Sequence, residues 1–248
     1  MDPSFNPGTP SMPPLPLPLK VALNASLAAG PKRERTQSLL LQATVQVIVQ
    51  RGLAGTTMQQ VAQAAGMAPG TVYNHFATRD ELVGRLAVVI GQSLSRVIAE
   101  SSADVEDGAQ RMAIGQRRYV WLAAESPAWA LLLLEVAAAS PHLLQTLEVY
   151  TLADLRLGVR QKRFQVPSEA AALDVINGVC SSAMRRVAVG AAPPRHDVAA
   201  ASLVLRALGM APAEALAVAR RPLPELPMPA PAAPTAGRAP ATARGRKR

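Results

Sequence analysis

Three histidines, one cysteine and seventeen carboxylates are the side chains here that could move protons, attack carbon or hold a metal. His75, His142 and His196 are scattered, and none stands in an H-x-x-x-H or H-E-x-x-H pair. There is no G-x-S-x-G, no G-x-x-x-x-G-K-[ST] and no C-x-x-C. Glu125, Glu135 and Glu148 fall on separate predicted helices, so spacing alone pairs none of them. Cys180 has no partner for an internal disulfide, suits a reducing compartment, and reads as a small buried apolar residue. No catalytic residue, metal or cofactor is expected.

The denser chemistry lies between Thr57 and Arg79. Thr71, Tyr73, Asn74 and His75 follow Pro69-Gly70 on a two-turn segment whose other face carries Val72 and Phe76, four apart. The elements that must hold these groups are also legible. Thr57 is a helix N-cap with Gln60 completing a capping box, and Val61, Ala62 and Ala65 follow as a short apolar stripe. Gly66 ends that helix where a left-handed residue is wanted. Pro69 opens the next helix at a position that tolerates a missing N–H. Thr78-Arg79-Asp80-Glu81 reads as a second capping box, so a further helix starts at once. Two short helices around a glycine turn make a helix-turn-helix.

In this order the residues resemble the DNA-binding domain of the tetracycline-repressor (TetR) family. The match runs from about Arg35 to Leu86, about a fifth of the chain, and includes V-A-x-x-A-G and G-T-V-Y-x-H-F. Leu40, Ala43, Val47, Ile48 and Gly52 fit the family's first helix. Two positions depart from the pattern. Ala68 stands where the family commonly has a capping serine, which costs the second helix about 1 kcal/mol. Ile48 stands where phenylalanine is usual. The resemblance implies that Thr71 and Asn74 face base edges and that Tyr73 and His75 hold flanking phosphates. It also implies that Thr57, Gln59 and Arg79 clamp the backbone, with Pro69 and Gly70 at the same surface.

The rest of the chain reads as all-α. Alanine and leucine abound, aromatics are 3% of residues, and no alternating β-branched run stands out. Residues 1–31, with eight prolines, read as a disordered extension. Pro13, Pro14, Pro16 and Pro18 break the apolar stretch that a secretory signal would need. Residues 32–80 form a three-helix DNA-binding domain. Residues 81–219 form a helical ligand-binding and dimerisation domain, with helices near 79–101, 108–124, 128–138, 141–163, 168–189 and 196–219. Residues 220–248 read as a disordered basic tail rich in proline and alanine. The run Ala130–Val136 is too short to cross a membrane.

Charge supports the same division. Residues 32–85 hold six basic side chains against three acidic, residues 86–219 twelve of each, and residues 220–248 seven against one. The excess sits on the head and the tail, where attraction to a polyanion is useful. Within the neutral body, Trp121, Trp129, Leu133, Leu147, Tyr150 and Met184 are the candidate lining of an aliphatic cavity. Small residues on the last two long helices suggest a dimer face including Ala183, Leu203 and Val204, and the resemblance implies a four-helix interface there.

The sequence therefore predicts a cytoplasmic homodimer that binds a palindromic double-stranded DNA operator. The resemblance implies a repressor released by a small hydrophobic effector. The competing readings are a DNA-binding dimer without a ligand, which a filled body core would favour, and an enzyme with a DNA-binding head, which buried clusters of ionisable groups would favour.

Overall fold

The computed structural model describes residues 15–28, 32–139 and 141–228, with the side chains of 27, 28, 32, 33, 139 and 141–147 left aside. Among the described residues there are eleven helices and no strand. They are α1 (Leu17–Ala28), α2 (Lys32–Arg51), α3 (Met58–Ala64), α4 (Pro69–His75), α5 (Arg79–Ser101) and α6 (Gly108–Glu125). Then come α7 (Pro127–Ala139), α8 (Pro141–Arg160), α9 (Glu169–Ala188), α10 (His196–Ala207) and α11 (Pro212–Ala219).

The head, α2 to α4, is closed by one apolar stripe from each helix. Leu40, Ala43, Val47 and Ile48 of α2, Val61 and Ala62 of α3, and Val72 with Phe76 beside α4 are all buried. Met58 joins them. α5 carries the head into the body. Leu82, Leu86, Ile90, Leu94 and Val97 recur at helical spacing and are buried against α1, α2, α7 and α8. This helix is long and apolar enough to cross a membrane by length and composition, and most of that window is buried inside the fold.

In the body, α6 is the central helix and packs against α7, α8, α9, α10 and α11. Its start touches α8 so closely that a Cβ on Gly108 would lie 2.5 Å from the Gly158 nitrogen. Asp107 caps α6 by accepting from the Ala109 N–H. The same carboxylate meets Arg163 and Arg221, each at 3.2 Å, so two later segments are tied to one helix end.

Three boundaries differ from expectation. α8 stops at Arg160 because Lys162 takes a left-handed backbone (φ 58°), which turns the chain and sets Phe164 against Gly158. Residues 196–219 are two helices, broken where Gly209 adopts φ 104° and Pro212 opens α11. The N-terminal extension is not wholly irregular. α1 forms within it, since Pro16 and Pro18 fall at the helix start, where a missing N–H costs nothing. Leu19, Ala22 and Leu23 then supply a buried stripe packed on α5, with the Ser26 and Ser93 hydroxyls 2.9 Å apart.

The start of the C-terminal tail is also packed. Arg117 donates to the Arg221 carbonyl at 2.6 Å, and Arg118 donates to the Pro224 carbonyl. Leu226 rests on the core. The Arg118 guanidinium also lies over the Trp121 ring, 5.1 Å from its centroid. Local composition hid this strap because its partners lie more than 100 residues earlier. Residues 1–14, 29–31 and 229–248, which carry the remaining extension and tail readings, lie outside the described residues.

Candidate nucleic-acid interface and body cavity

The turn between α3 and α4 is built as its residue types demand. Thr57 Oγ1 accepts from the Gln60 N–H at 3.3 Å, and Gln60 Oε1 accepts from the Thr57 N–H at 3.0 Å. Gly66 takes φ 65°, which any side chain would strain. Ala68 sits at the N-cap of α4 with no side-chain bond, leaving that helix start uncapped. Ala68→Ser should raise the thermal stability of the head by about 1 kcal/mol. Thermal unfolding followed by the fluorescence of Tyr73 checks this, and an unchanged midpoint would count against it. Thr78 accepts from the Glu81 N–H at 3.1 Å, but the Glu81 carboxylate accepts from the Ala77 N–H rather than from Thr78. The expected second capping box is therefore half formed.

Pro69, Gly70, Tyr73 and Asn74 are exposed on the outer side of α4, Tyr73 at 56%. Thr71 and His75 are half-buried, and His75 Nδ1 is enclosed without a partner, so only its other nitrogen can face outward. Thr57, Gln59 and Pro69 share a shallow groove with Arg51, a residue the sequence reading did not single out. Its place in the last turn of α2 was the available signal.

Arg79, expected at the DNA backbone, also makes contacts inside the head. Its Nε donates to the Thr56 carbonyl at 2.8 Å, and a second nitrogen donates to the Leu53 carbonyl. A third contact reaches Asp80 at 3.4 Å. The guanidinium is thus engaged with the α2–α3 loop and braces α5 against the head. Arg79→Ala should destabilise the head by about 1.5 kcal/mol, the low end for charged hydrogen bonds because the group is partly exposed. Urea unfolding measures this, and an unaltered midpoint would leave only the phosphate-clamp reading.

In the body, a cavity of about 90 Å³ opens between α6, α7, α8 and α9. Its lining includes Met112, Gly115, Gln116, Tyr119, Leu133, Leu134, Ala137, Thr151, Asp154, Asn177, Cys180, Ser181 and Met184. Of the expected residues, Leu133 and Met184 are there. Trp129 is packed in the core and Trp121 lies in a groove on another face. Tyr150 borders a smaller recess that shares Gly115, Tyr119, Thr151 and Asp154 with the cavity. The side chain of Leu147 lies outside the described residues. Helix phase explains the misses: Met112, Gln116 and Tyr119 recur along one face of α6, while Trp121 is turned away from it.

The cavity has an apolar wall and a polar one. Burial raises the pKa of Asp154, and Arg111, whose Nε lies 2.7 Å away, partly offsets this. Asn177 donates to Glu148 at 3.0 Å. Burial pushes the Cys180 thiol up to about 12, so it stays protonated. Burial likewise holds the proton on Tyr119, whose hydroxyl lies 2.7 Å from Ser95 Oγ on α5.

The expected dimer residues separate. Leu203 is 54% exposed, but Ala183 and Val204 are buried within the protomer. Their helices carry small residues on both faces, so composition could not tell inside from outside. The exposed side of α9 instead presents Val175, Gly178 and Ser182.

A helix-turn-helix head, carried by a long helix into an all-α body with a cavity, is the architecture of a class of DNA-binding regulators. Two family models match. Residues 40–86 match the bacterial regulatory proteins of the tetR family, and residues 107–221 match the tetracyclin repressor-like C-terminal domain. The chain belongs to the tetR family. Among curated proteins it is 34% identical over 74 residues to the HTH-type transcriptional repressor Rv3405c of Mycobacterium tuberculosis, which is 29% of this chain and 39% of that one. The same figures hold for the HTH-type transcriptional regulator Mb3439c of Mycobacterium bovis. The chain thus spans about two fifths of the length of these curated relatives. Among solved structures, RolR in complex with resorcinol is similar at a TM-score of 0.65 and 26% identity, over 79% of this chain and 98% of that one. FadR from Bacillus subtilis in complex with stearoyl-CoA shares the fold at a TM-score of 0.56 and 16% identity, over 69% of this chain and 97% of that one.

Proposed function

We propose that the protein is a cytoplasmic, homodimeric repressor that binds a palindromic operator and leaves it when a small, largely apolar ligand fills the body cavity. DNA reading is assigned to residues 32–80, with Thr71 and Asn74 toward base edges and Tyr73 and His75 toward phosphates. Thr57, Gln59, Pro69 and Gly70 complete that surface. Residues 81–219 hold the ligand and the dimer face, and no catalytic role is assigned to the chain. The cavity favours this reading over a ligand-free DNA-binding dimer.

The observation that carries the proposal is the bond between Tyr119, on the cavity wall, and Ser95, on α5. α5 begins at the head and is braced to it by Arg79. A ligand that shifts Tyr119 therefore pulls on the helix that sets the separation of the two heads. Half-sites lie about 34–36 Å apart or a multiple of that, so a small change of separation weakens binding. The ligand acts only as far as it binds one arrangement better than the other.

Size limits the ligand. A water needs about 10–15 Å³ of such space, so the cavity admits a small cluster of waters or a single ring. RolR, with resorcinol bound, supports a ring-sized effector. Tyr119→Phe tests the coupling. Ring ligands should still bind, while the ligand-induced loss of operator affinity falls at least fivefold, the small end of allosteric coupling. Calorimetry for the ligand and fluorescence anisotropy for DNA separate the two. Full ligand response in the variant would show that the signal travels elsewhere.

A further inference from the structure

The strap that follows α11 is laid along α6 in one direction. Arg221 opens it at the first turn of α6, its guanidinium 3.2 Å from the Asp107 carboxylate and 2.7 Å from the Gln110 side-chain oxygen. Leu223 then shares a groove with Val120, Trp121 and Ala124, Arg118 donates to the Pro224 carbonyl, and Leu226 rests on the core. α6 itself runs back toward the head. It follows α5 after residues 102–107, and Tyr119 in its second half meets Ser95, inside α5. Its first half, with Ala109 and Met112, packs in one cluster with α11. Its second half, with Val120 and Leu122, belongs to the cluster that holds the core of the head. Residues 229–248 therefore start on the head side of the body.

That segment carries Arg238, Arg244, Arg246, Lys247 and Arg248 and no acidic side chain. Its 20 residues can span up to about 65 Å, roughly twice the length of the 23-residue α5, so DNA at the head is within reach. The body, residues 86–219, has no net charge and offers the five cations no counterpart, while the head is itself basic. Like charges gathered on one side repel unless a polyanion lies between them.

We propose that residues 229–248, anchored by the strap, are a second DNA contact that neutralises phosphates flanking the site read by the head, without reading bases. This rests on the reading of the head as the DNA-binding part. Each phosphate engaged releases counterions and steepens the log–log dependence of affinity on salt by about 0.9.

Arg238→Gln, Arg244→Gln, Arg246→Gln, Lys247→Gln and Arg248→Gln, combined in one full-length chain, remove the charge and keep the length. Binding to a random-sequence duplex is followed by fluorescence anisotropy across a salt series. The slope should flatten by about 1.8 or more, the loss of at least two phosphates, and affinity at low salt should fall about tenfold or more. The unfolding midpoint and the mass by light scattering should not change, because the packed strap ends before these residues. Deletion of residues 229–248 should give the same slope as the glutamine variant. On duplexes that the full-length protein enriches from a random pool, a photocrosslinker carried on Thr242→Cys should mark DNA flanking the enriched repeat. Cys180 is buried and stays unlabelled. An unchanged slope, or cross-links confined to protein, overturns the tail contact and leaves the reading of the head standing. Enrichment of nothing above the pool, with the slope still flattened, overturns the reading of the head and not the phosphate contact.

Discussion

Gly178→Glu and Leu203→Glu should each convert the dimer to a monomer and lower operator affinity by roughly 10²–10⁴-fold, because a single head loses the linked second half-site. The two positions suit the test because neither is needed inside the protomer. A Cβ added at Gly178 meets no atom within 4 Å, and Leu203 is 54% exposed on α10. A carboxylate buried unpaired between protomers is costly, whereas on a free surface it costs little. Circular dichroism should therefore be unchanged while light scattering reports half the mass. The buried Ala183 and Val204 cannot serve, since a charge there would unfold the body whatever the assembly. Retention of the dimer by both variants would place the interface on another face.

The second large effect is expected in the head, where two neighbouring side chains should fail differently. Tyr73→Ala should weaken binding to operator and scrambled duplexes alike, because a phosphate contact positions the protein without reading sequence. Asn74→Ala should cost about 1–3 kcal/mol on the operator only, relaxing preference at one base pair. Both residues are exposed, so neither substitution should disturb the stripe of Val72 and Phe76 beneath them. Competition titrations against the two duplexes separate the classes. Equal losses on both duplexes for Asn74→Ala would remove it from base reading.

Which features were legible in the sequence follows from how local their physics is. The Thr57–Gln60 capping box, the Gly66 turn, the uncapped Ala68 and the stripes of α2 to α4 depend on residues within one or two turns, and all are found as read. The all-α class followed from composition in the same way. What was not legible is non-local. The hold of Arg79 on the Thr56 and Leu53 carbonyls was not visible because those acceptors lie more than 20 residues earlier. α1 and the strap after Arg221 were hidden by proline content, and become ordered only through α5 and α6. In α9 and α10, small residues occupy both faces, so the hydrophobic period marks no inner side. The cavity was sought among aromatic and aliphatic residues, yet its polar wall is Gln116, Tyr119, Asp154 and Asn177. Tyr119 and Gln116 sit on α6, three apart, but only the position of α9 and α8 tells which side of α6 is hollow.

The central claim is that two copies of this head read one two-fold symmetric DNA sequence, and selection of bound duplexes from a random pool tests it most directly. The full-length protein should enrich an inverted repeat whose half-site centres lie about one helical turn, or a whole multiple of it, apart. Enrichment of a single unpaired half-site, or of no motif above the starting pool, would contradict the account.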